Sequence, residues 1–341
     1  MKIKFHILIT LIALLSANEY KGPDDNAGDP SAIRESWMDG NNVYLYFKNT
    51  SQLSNWAEGG LDNVSKWPND LTGSRMVDGI GLLVGAKVYI EDDENPETLD
   101  KNIIDDWGTI LDSDIKKHEI YFLQTHYREQ MDQNALRTLD WGFFPVFGYF
   151  NSYQDYPAMS DDPNTWPSAW PHLEDSDYRA GAWDGRFGEG VIKADLETYF
   201  VINDAQDHEY LQGDSFQYYP RGEEKKIQAD ASAQAGLPWG GLGIRVEARA
   251  FQWNNPLARD ALFWEYNIAN ISNYDINEVA FGYWVDNAIG GEDNPGQGDD
   301  EVGYFDTDLD LSYSWDHDGQ GDNADFTPGI MGFAYLESPG I

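Results

Sequence analysis

Carboxylates dominate the chemistry open to this sequence. From Asp260 to Ile341 there are 18 Asp and Glu and no Lys or Arg, and 13 of those acids lie between Asp286 and Asp325 on Gly- and Asn-rich stretches. Carboxylates crowded in this way repel one another, and the agent best suited to neutralise oxygen ligands on flexible loops is a hard cation such as Ca²⁺. Two loops have suitable residues. The first carries Asp286, Glu292, Asp293, Asp299, Asp300 and Glu301, with Gly290, Gly291, Gly296 and Gly298 giving the chain freedom to wrap. The second carries Asp306, Asp308 and Asp310 at alternate positions, followed by Asp316, Asp318 and Asp322. The run Asp316-x-Asp318-Gly319 imitates the start of an EF-hand, but its Gly comes too early and the twelfth position is Thr327 instead of a bidentate Glu. Structural Ca²⁺ at these twelve acids is therefore the expectation, and solvated acidic loops screened by salt are the alternative.

Other chemistries are poorly served. The chain has no Cys, so thiolate metal sites, disulfides and a Cys nucleophile are excluded. His118-Glu119 is not followed by a second His at metalloprotease spacing, and His118, His126, His172, His208 and His317 have no compact zinc arrangement. G-x-S-x-G and P-loop patterns are absent, and G-x-G-x-x-x-G at Gly79, Gly81 and Gly85 reads as strand glycines, not a dinucleotide fingerprint. Asn49, Asn63 and Asn270 begin glycosylation sequons by pattern alone. Carbohydrate binding is the remaining class. Trp166, Trp170 and Trp183 lie in a Pro- and Gly-rich region that could present a stacking platform, although aromatics in a β-rich chain more often fill a core. Paired carboxylates for glycoside cleavage carry no information among 60 acids.

The elements that must position these residues read as strands. Asn42–Asn49, Val77–Ile90, His118–Gln124, Trp141–Phe150 and the stretch from Glu189 to Asn203 are β candidates in the first two thirds. The last third is more regular: Leu242–Trp253, Ala261–Asn270, Ile276–Asp286, Glu301–Phe305, Ser312–Trp315 and Gly329–Leu336 follow one another with turn residues between. Many short strands and little helical periodicity predict an all-β chain, an antiparallel β-sandwich with long ordered loops and only short helices. Tyr153 to Tyr178 reads as a surface excursion pinned by aromatics, and Asp204 to Ala235 as a polar loop with room for a short helix. The expected division is a signal peptide over 1–17, a polar leader over 18–41, a β-rich, loop-rich region over 42–235 and an antiparallel β-sandwich region with the acidic loops over 236–341, with residues 242–336 as strands of one sandwich. The last two are compatible with one continuous domain.

Met1-Lys-Ile-Lys4, the apolar run Phe5 to Ala17 and the polar exit that follows describe a secretory signal cleaved after Ala17. No other stretch is long enough for a transmembrane helix, so a secreted or surface-displayed chain is expected. Cleavage removes Lys2 and Lys4 and no acid, so the formal charge moves from -38 to -40 (20 basic against 60 acidic residues). That charge excludes nucleic acid and anionic membrane surfaces as partners.

The run from Phe251 to Gly340 resembles large secreted proteins of Bacteroidetes and related marine bacteria, often exported by the type IX route. The resemblance is carried by Phe251-Gln-Trp-Asn-Asn-Pro256, Phe263-Trp-Glu-Tyr-Asn-Ile-Ala-Asn-Ile-Ser272, Gly282-Tyr-Trp-Val-Asp286, Asp299-Asp-Glu-Val-Gly303, Tyr313 and Asp316-His-Asp-Gly319, with Gly79 to Tyr89 similar to an early strand. It implies the N-terminal part of a longer, mostly uncharacterised β-sandwich protein and specifies no reaction. Together these readings predict a non-enzymatic adhesion or cell-envelope protein with structural Ca²⁺ and a glycan or cell-envelope partner. A glycan-binding or polysaccharide-processing module is the alternative. Solvent-facing aromatic rows would favour the second, and inward-packed rings the first.

Overall fold

The structure is a computed structural model that describes residues 26–55, 64–91, 118–124, 142–170, 181–205, 217–219, 242–271, 276–291, 301–321 and 327–337. Among the described residues strand accounts for about 49% and helix for about 3%, with no helix of seven residues or more, so the fold is all-β with antiparallel sheets. The organising strand is β5 (Ser74–Glu91), an 18-residue run rich in Val, Ile and Leu. Around it are β1 (Glu35–Met38), β2 (Tyr44–Lys48), β3 (Gln52–Asn55), β4 (Ser65–Trp67), β6 (His118–Gln124), β12 (Gln217–Tyr219) and β15 (Asn277–Asn287), which complete an eight-stranded sheet. Gly79 and Gly81 sit in β5, and the pairing register with β3 and with β15 slips next to Gly79, as the strand reading of these glycines implies.

The second sheet contains β7 (Phe144–Pro145), β8 (Ala158–Met159), β11 (Leu196–Asn203), β13 (Ile244–Gln252) and β14 (Phe263–Asn270). It stacks on the first through one apolar core. Leu45, Phe47, Leu53, Ile80, Leu82 and Val84 from one layer meet Leu196, Phe200, Ile202, Val246 and Ala248 from the other. The Phe47 ring lies 6.2 Å from Phe200 and 5.7 Å from Trp264, so two sheets joined by interdigitated side chains form a sandwich. All eight residues of β11 are buried, because both of its faces are covered. Its even-numbered Leu196, Phe200 and Ile202 enter the inter-sheet core, and its odd-numbered Tyr199 and Val201 enter a second core. That second core is formed with residues of 142–170 and 181–191, where a hairpin of β9 (Asp184–Gly185) and β10 (Gly188–Glu189) also sits.

Three more strands, β16 (Glu301–Asp306), β17 (Leu311–Asp316) and β18 (Ile330–Ala334), form a separate antiparallel sheet. The last third is thus not a sandwich by itself. It gives β13 and β14 to the second sheet and β15 to the first, because the long central strands β5 and β11 come from the first two thirds and need partners. Both main sheets are therefore built across the 235/236 boundary. Expected strands in that third appear within a few residues of their predicted bounds, whereas Trp141–Phe150 shrinks to Phe144–Pro145 and the rest of the described part is turn. The leader contains a strand, β1, whose Ser36 and Met38 are buried. Gln217–Tyr219 is a short strand in a stretch expected to be loop.

Candidate functional site

The acids expected to bind metal divide into two groups. Glu292, Asp293, Asp299, Asp300 and Asp322 lie outside the described residues. Asp286 is the penultimate residue of β15 and Glu301 opens β16, so these two bracket the first acidic loop. The second group serves its own turns. Asp306 Oδ1 accepts from the N–H of Asp308 (2.9 Å) and of Leu309 (3.1 Å), and Asp310 closes that turn in the left-handed region at φ 48°. Asp316, only 8% exposed, accepts from the N–H of Gly319 and of Gln320 (2.5 and 3.1 Å), while Asp318 accepts from the N–H and the side-chain amide of Gln320 (2.8 and 2.9 Å). Asp side chains that cap a following backbone stabilise turns without any ion. Among the described residues no three Asp, Glu or His converge on a point that could hold a metal. His317 lies exposed in the same turn as Asp318.

The tryptophans of the candidate stacking platform are packed inward. Trp170 and Trp183 are 0% and 1% exposed, and Trp166 packs against them half-buried. Trp170 meets Trp183 edge-on at 5.7 Å, Trp166 lies 5.6 Å from Trp183, and Tyr199 lies 5.7 Å from Trp170. Their polar edges are satisfied. Trp183 Nε1 donates to Glu197 (2.9 Å), whose other oxygen accepts the N–H of Lys193 and of Ala194, and Trp170 Nε1 donates to the carbonyl of Ala182 (2.8 Å). Arg249 completes the cluster: its guanidinium lies 4.1 Å over the Tyr199 ring and donates to Asp184 through the backbone carbonyl (2.6 Å) and the carboxylate (3.3 Å). Burial pushes the Tyr199 phenol well above its ordinary value, Glu247 adds to this, and Arg249 opposes it. An aromatic cluster held by a paired ion and by satisfied donors is a core, not a ligand platform.

A different aromatic row does face outward. Pairing of Val302 with Trp315, of Tyr304 with Tyr313, and of Trp315 with Ile330 puts these side chains on one face of the three-stranded sheet, together with Leu311. Tyr304 and Ile330 are 57% and 71% exposed, with Tyr313 and Trp315 half-buried beside them. Ring centroids are 5.6 Å apart for Tyr304 and Tyr313 and 5.8 Å for Tyr313 and Trp315, the latter pair within 29° of parallel. Gly332 stands opposite Tyr313, and a Cβ there would come within 3.0 Å of Leu311 Cδ1, so the Leu311 side chain lies over the glycine and fills that part of the face. No family model, curated protein or solved structure matches the chain. The geometry of this sheet therefore carries the functional argument.

The opposite face secures the sheet to the sandwich. Met331 and Phe333 pack against the main core, Ser314 is 3% exposed, and Asn287 at the end of β15 donates to Ser314 Oγ (2.7 Å). Gly329 lies against the Trp67 indole, where a Cβ would come within 2.9 Å of the ring. Trp67 in turn donates to Asp260 Oδ1 (3.0 Å); this bond and one from Asn42 hold the Asp260 carboxyl below its ordinary value. Sequence reasoning placed strands at 301–305, 312–315 and 329–336 but not their outward face. The available signal was the alternation of Val302 and Tyr304 with Gly303, and of Tyr313 and Trp315 with Ser312 and Ser314.

Proposed function

We propose that this chain is a secreted or surface-displayed, non-enzymatic module of adhesion or cell-envelope type, the N-terminal region of a longer protein. The β16–β18 sheet carries its contact face, and the sandwich is the support. One observation carries this reading: the rings of Tyr304, Tyr313 and Trp315 line one face of β16 and β17, with Tyr304 57% exposed, while Met331 and Phe333 on the other face pack against the core. Open, contiguous apolar surface on a chain otherwise rich in charge marks a contact site more often than accident does. The resemblance of residues 251–340 to exported envelope proteins and the N-terminal signal pattern support the location. Among the described residues, no helix is long and apolar enough to cross a membrane.

Structural Ca²⁺ belongs to the same proposal, concentrated on the loop bracketed by Asp286 and Glu301. Its support is charge: six acids and no base from 286 to 301. The turn-capping bonds of Asp306, Asp316 and Asp318 make the second loop the weaker candidate.

Co-sedimentation of the purified chain with isolated bacterial cell envelopes tests the contact face. Wild type is expected to pellet with envelopes, and Tyr304→Ala with Trp315→Ala is expected to remain in the supernatant at unchanged melting temperature. Equal pelleting of both would remove the sheet from the account. N-terminal sequencing of the exported product tests the location; a start at Asn18 is expected, and a start at Met1 contradicts it.

A further inference from the structure

We infer that the outward face of the β16–β18 sheet is a binding site for an uncharged polysaccharide chain, with Tyr304, Tyr313 and Trp315 as its stacking platform. The inference rests on the contact-face reading above and adds the ligand's chemical class. Three facts choose that class. First, the rings form a row along adjacent strands at centroid spacings of 5.6 and 5.8 Å, with Tyr313 and Trp315 within 29° of parallel and Tyr304 inclined 58° to Tyr313. Aromatic rings present apolar area with a polar handle, which suits the C–H face of a pyranose ring. A linear ligand can lie along such a row, one sugar to each ring.

Second, both ends of the row are rimmed by acceptors. The turn carrying Asp306, Asp308 and Asp310 closes the Leu311 end, and exposed Asp318 lies in the turn that closes the Trp315 end. Ionised carboxylates only accept hydrogen bonds, and sugar hydroxyls are the donors that complement them. Third, no Lys or Arg occurs from Asp260 to the last residue given, so the sheet's own strands and turns bring no counter-charge to an acidic polysaccharide, a phosphate or a nucleic acid. The same acids disfavour a second copy of this chain, because pairing two such faces would bring like-charged rims together.

Affinity electrophoresis of the full chain tests the inference. Native gels would contain hydroxyethyl cellulose, xylan, galactomannan or glycogen as uncharged probes, and polygalacturonate as the anionic one. Retardation by at least one uncharged polymer is expected, with none by polygalacturonate. Trp315→Ala and Tyr304→Ala should each weaken that retardation at least tenfold. Phe187→Ala should leave it unchanged, since Phe187 is equally solvent-facing (68% exposed) but sits on the β9–β10 hairpin. Melting temperature is read on every variant, and loss of binding counts only where it is unchanged; the milder Trp315→Leu replaces any variant that unfolds. No retardation by any uncharged polymer, or retardation that survives both ring substitutions, overturns the inference. A dimer in sedimentation equilibrium that Tyr304→Ala converts to monomer overturns it in favour of a second copy. If the ring variants lose envelope binding while no uncharged polymer retards the wild type, the glycan assignment fails and the contact face stands. If the ring variants keep envelope binding, the contact face fails as well.

Discussion

Two aromatic groups of similar composition meet opposite fates. Trp166, Trp170, Trp183 and Tyr199 are enclosed beneath β11, and Tyr304, Tyr313 and Trp315 stand on the outer face of the β16–β18 sheet. What separates them is the polar company each keeps. Each of the three inner indoles has a fixed acceptor, and the group is enclosed by residues of 142–170 and 181–191 and by the Arg249–Asp184 pair. The outer rings lie beside Leu311, which covers Gly332, and between two turns whose carboxylates cap their own backbone through some of their oxygens. Ring count thus says little about binding. Whether the ring edges are fixed by buried partners decides whether aromatic area serves stability or recognition.

The largest effect that would break this comparison is expected inside. Trp183→Ala removes a fully buried indole and leaves Glu197 facing a cavity, so a loss of about 3–5 kcal/mol is expected in denaturant unfolding. A loss below about 1 kcal/mol would mean that the inner cluster is not a core. Chelation comes next and concerns only the outer sheet's acidic surroundings. At free Ca²⁺ about 100 times the dissociation constant, binding to the native state adds about 2.7 kcal/mol. EDTA should therefore lower the melting temperature, and hydrogen exchange should quicken first in 286–325 while the strands of the inner cluster stay protected. Matched NaCl that restores the melting temperature in full would reduce the acids to a screened surface.

A pH scan sharpens the inner side. Burial pushes the Tyr266 phenol up to about 12, with Ser51 and Tyr283 hydrogen bonds opposing, and burial also raises Tyr199. Unfolded phenols titrate near 10, so above that pH the unfolded chain binds fewer protons than the folded one. Stability should be unaffected by these groups below pH 10 and should fall between 10 and about 12. A flat profile across that window would contradict their burial. The smallest effect is expected outside: Tyr304→Ala should change unfolding free energy by no more than about 0.5 kcal/mol, as exposed substitutions usually do.

Much of the fold was legible in the sequence. The alternation in Leu242–Trp253 and the apolar run of Val77–Ile90 mark β13 and β5 because packing against a sheet leaves a local signature. The strand β3, Gln52-Leu-Ser-Asn55, left none. All four residues are buried although three are polar, and the bonds that permit this are distant: Ser54 Oγ donates to Val77 O (2.7 Å) and accepts from Ser65 N (2.9 Å). No local pattern encodes a partner 23 residues away. The acids of 306–318 were conspicuous, but their role depends on turn geometry that places each oxygen on its own backbone. The inner tryptophans were ambiguous because burial on both faces of β11 is a property of the layers, not of the strand. The outer row could be seen as period-two alternation, yet only Met331 and Phe333 packing inward determines which face remains open.

The central claim, that one aromatic group is enclosed and the other presented, is tested most directly by hydroxyl-radical footprinting read by mass spectrometry on the native chain, alone and with cell envelopes. Tyr304, Tyr313 and Trp315 should be modified much faster than Trp170 and Trp183 in the free chain, and envelopes should slow the outer group alone. Comparable rates for both groups, or protection of neither on adding envelopes, would contradict the account.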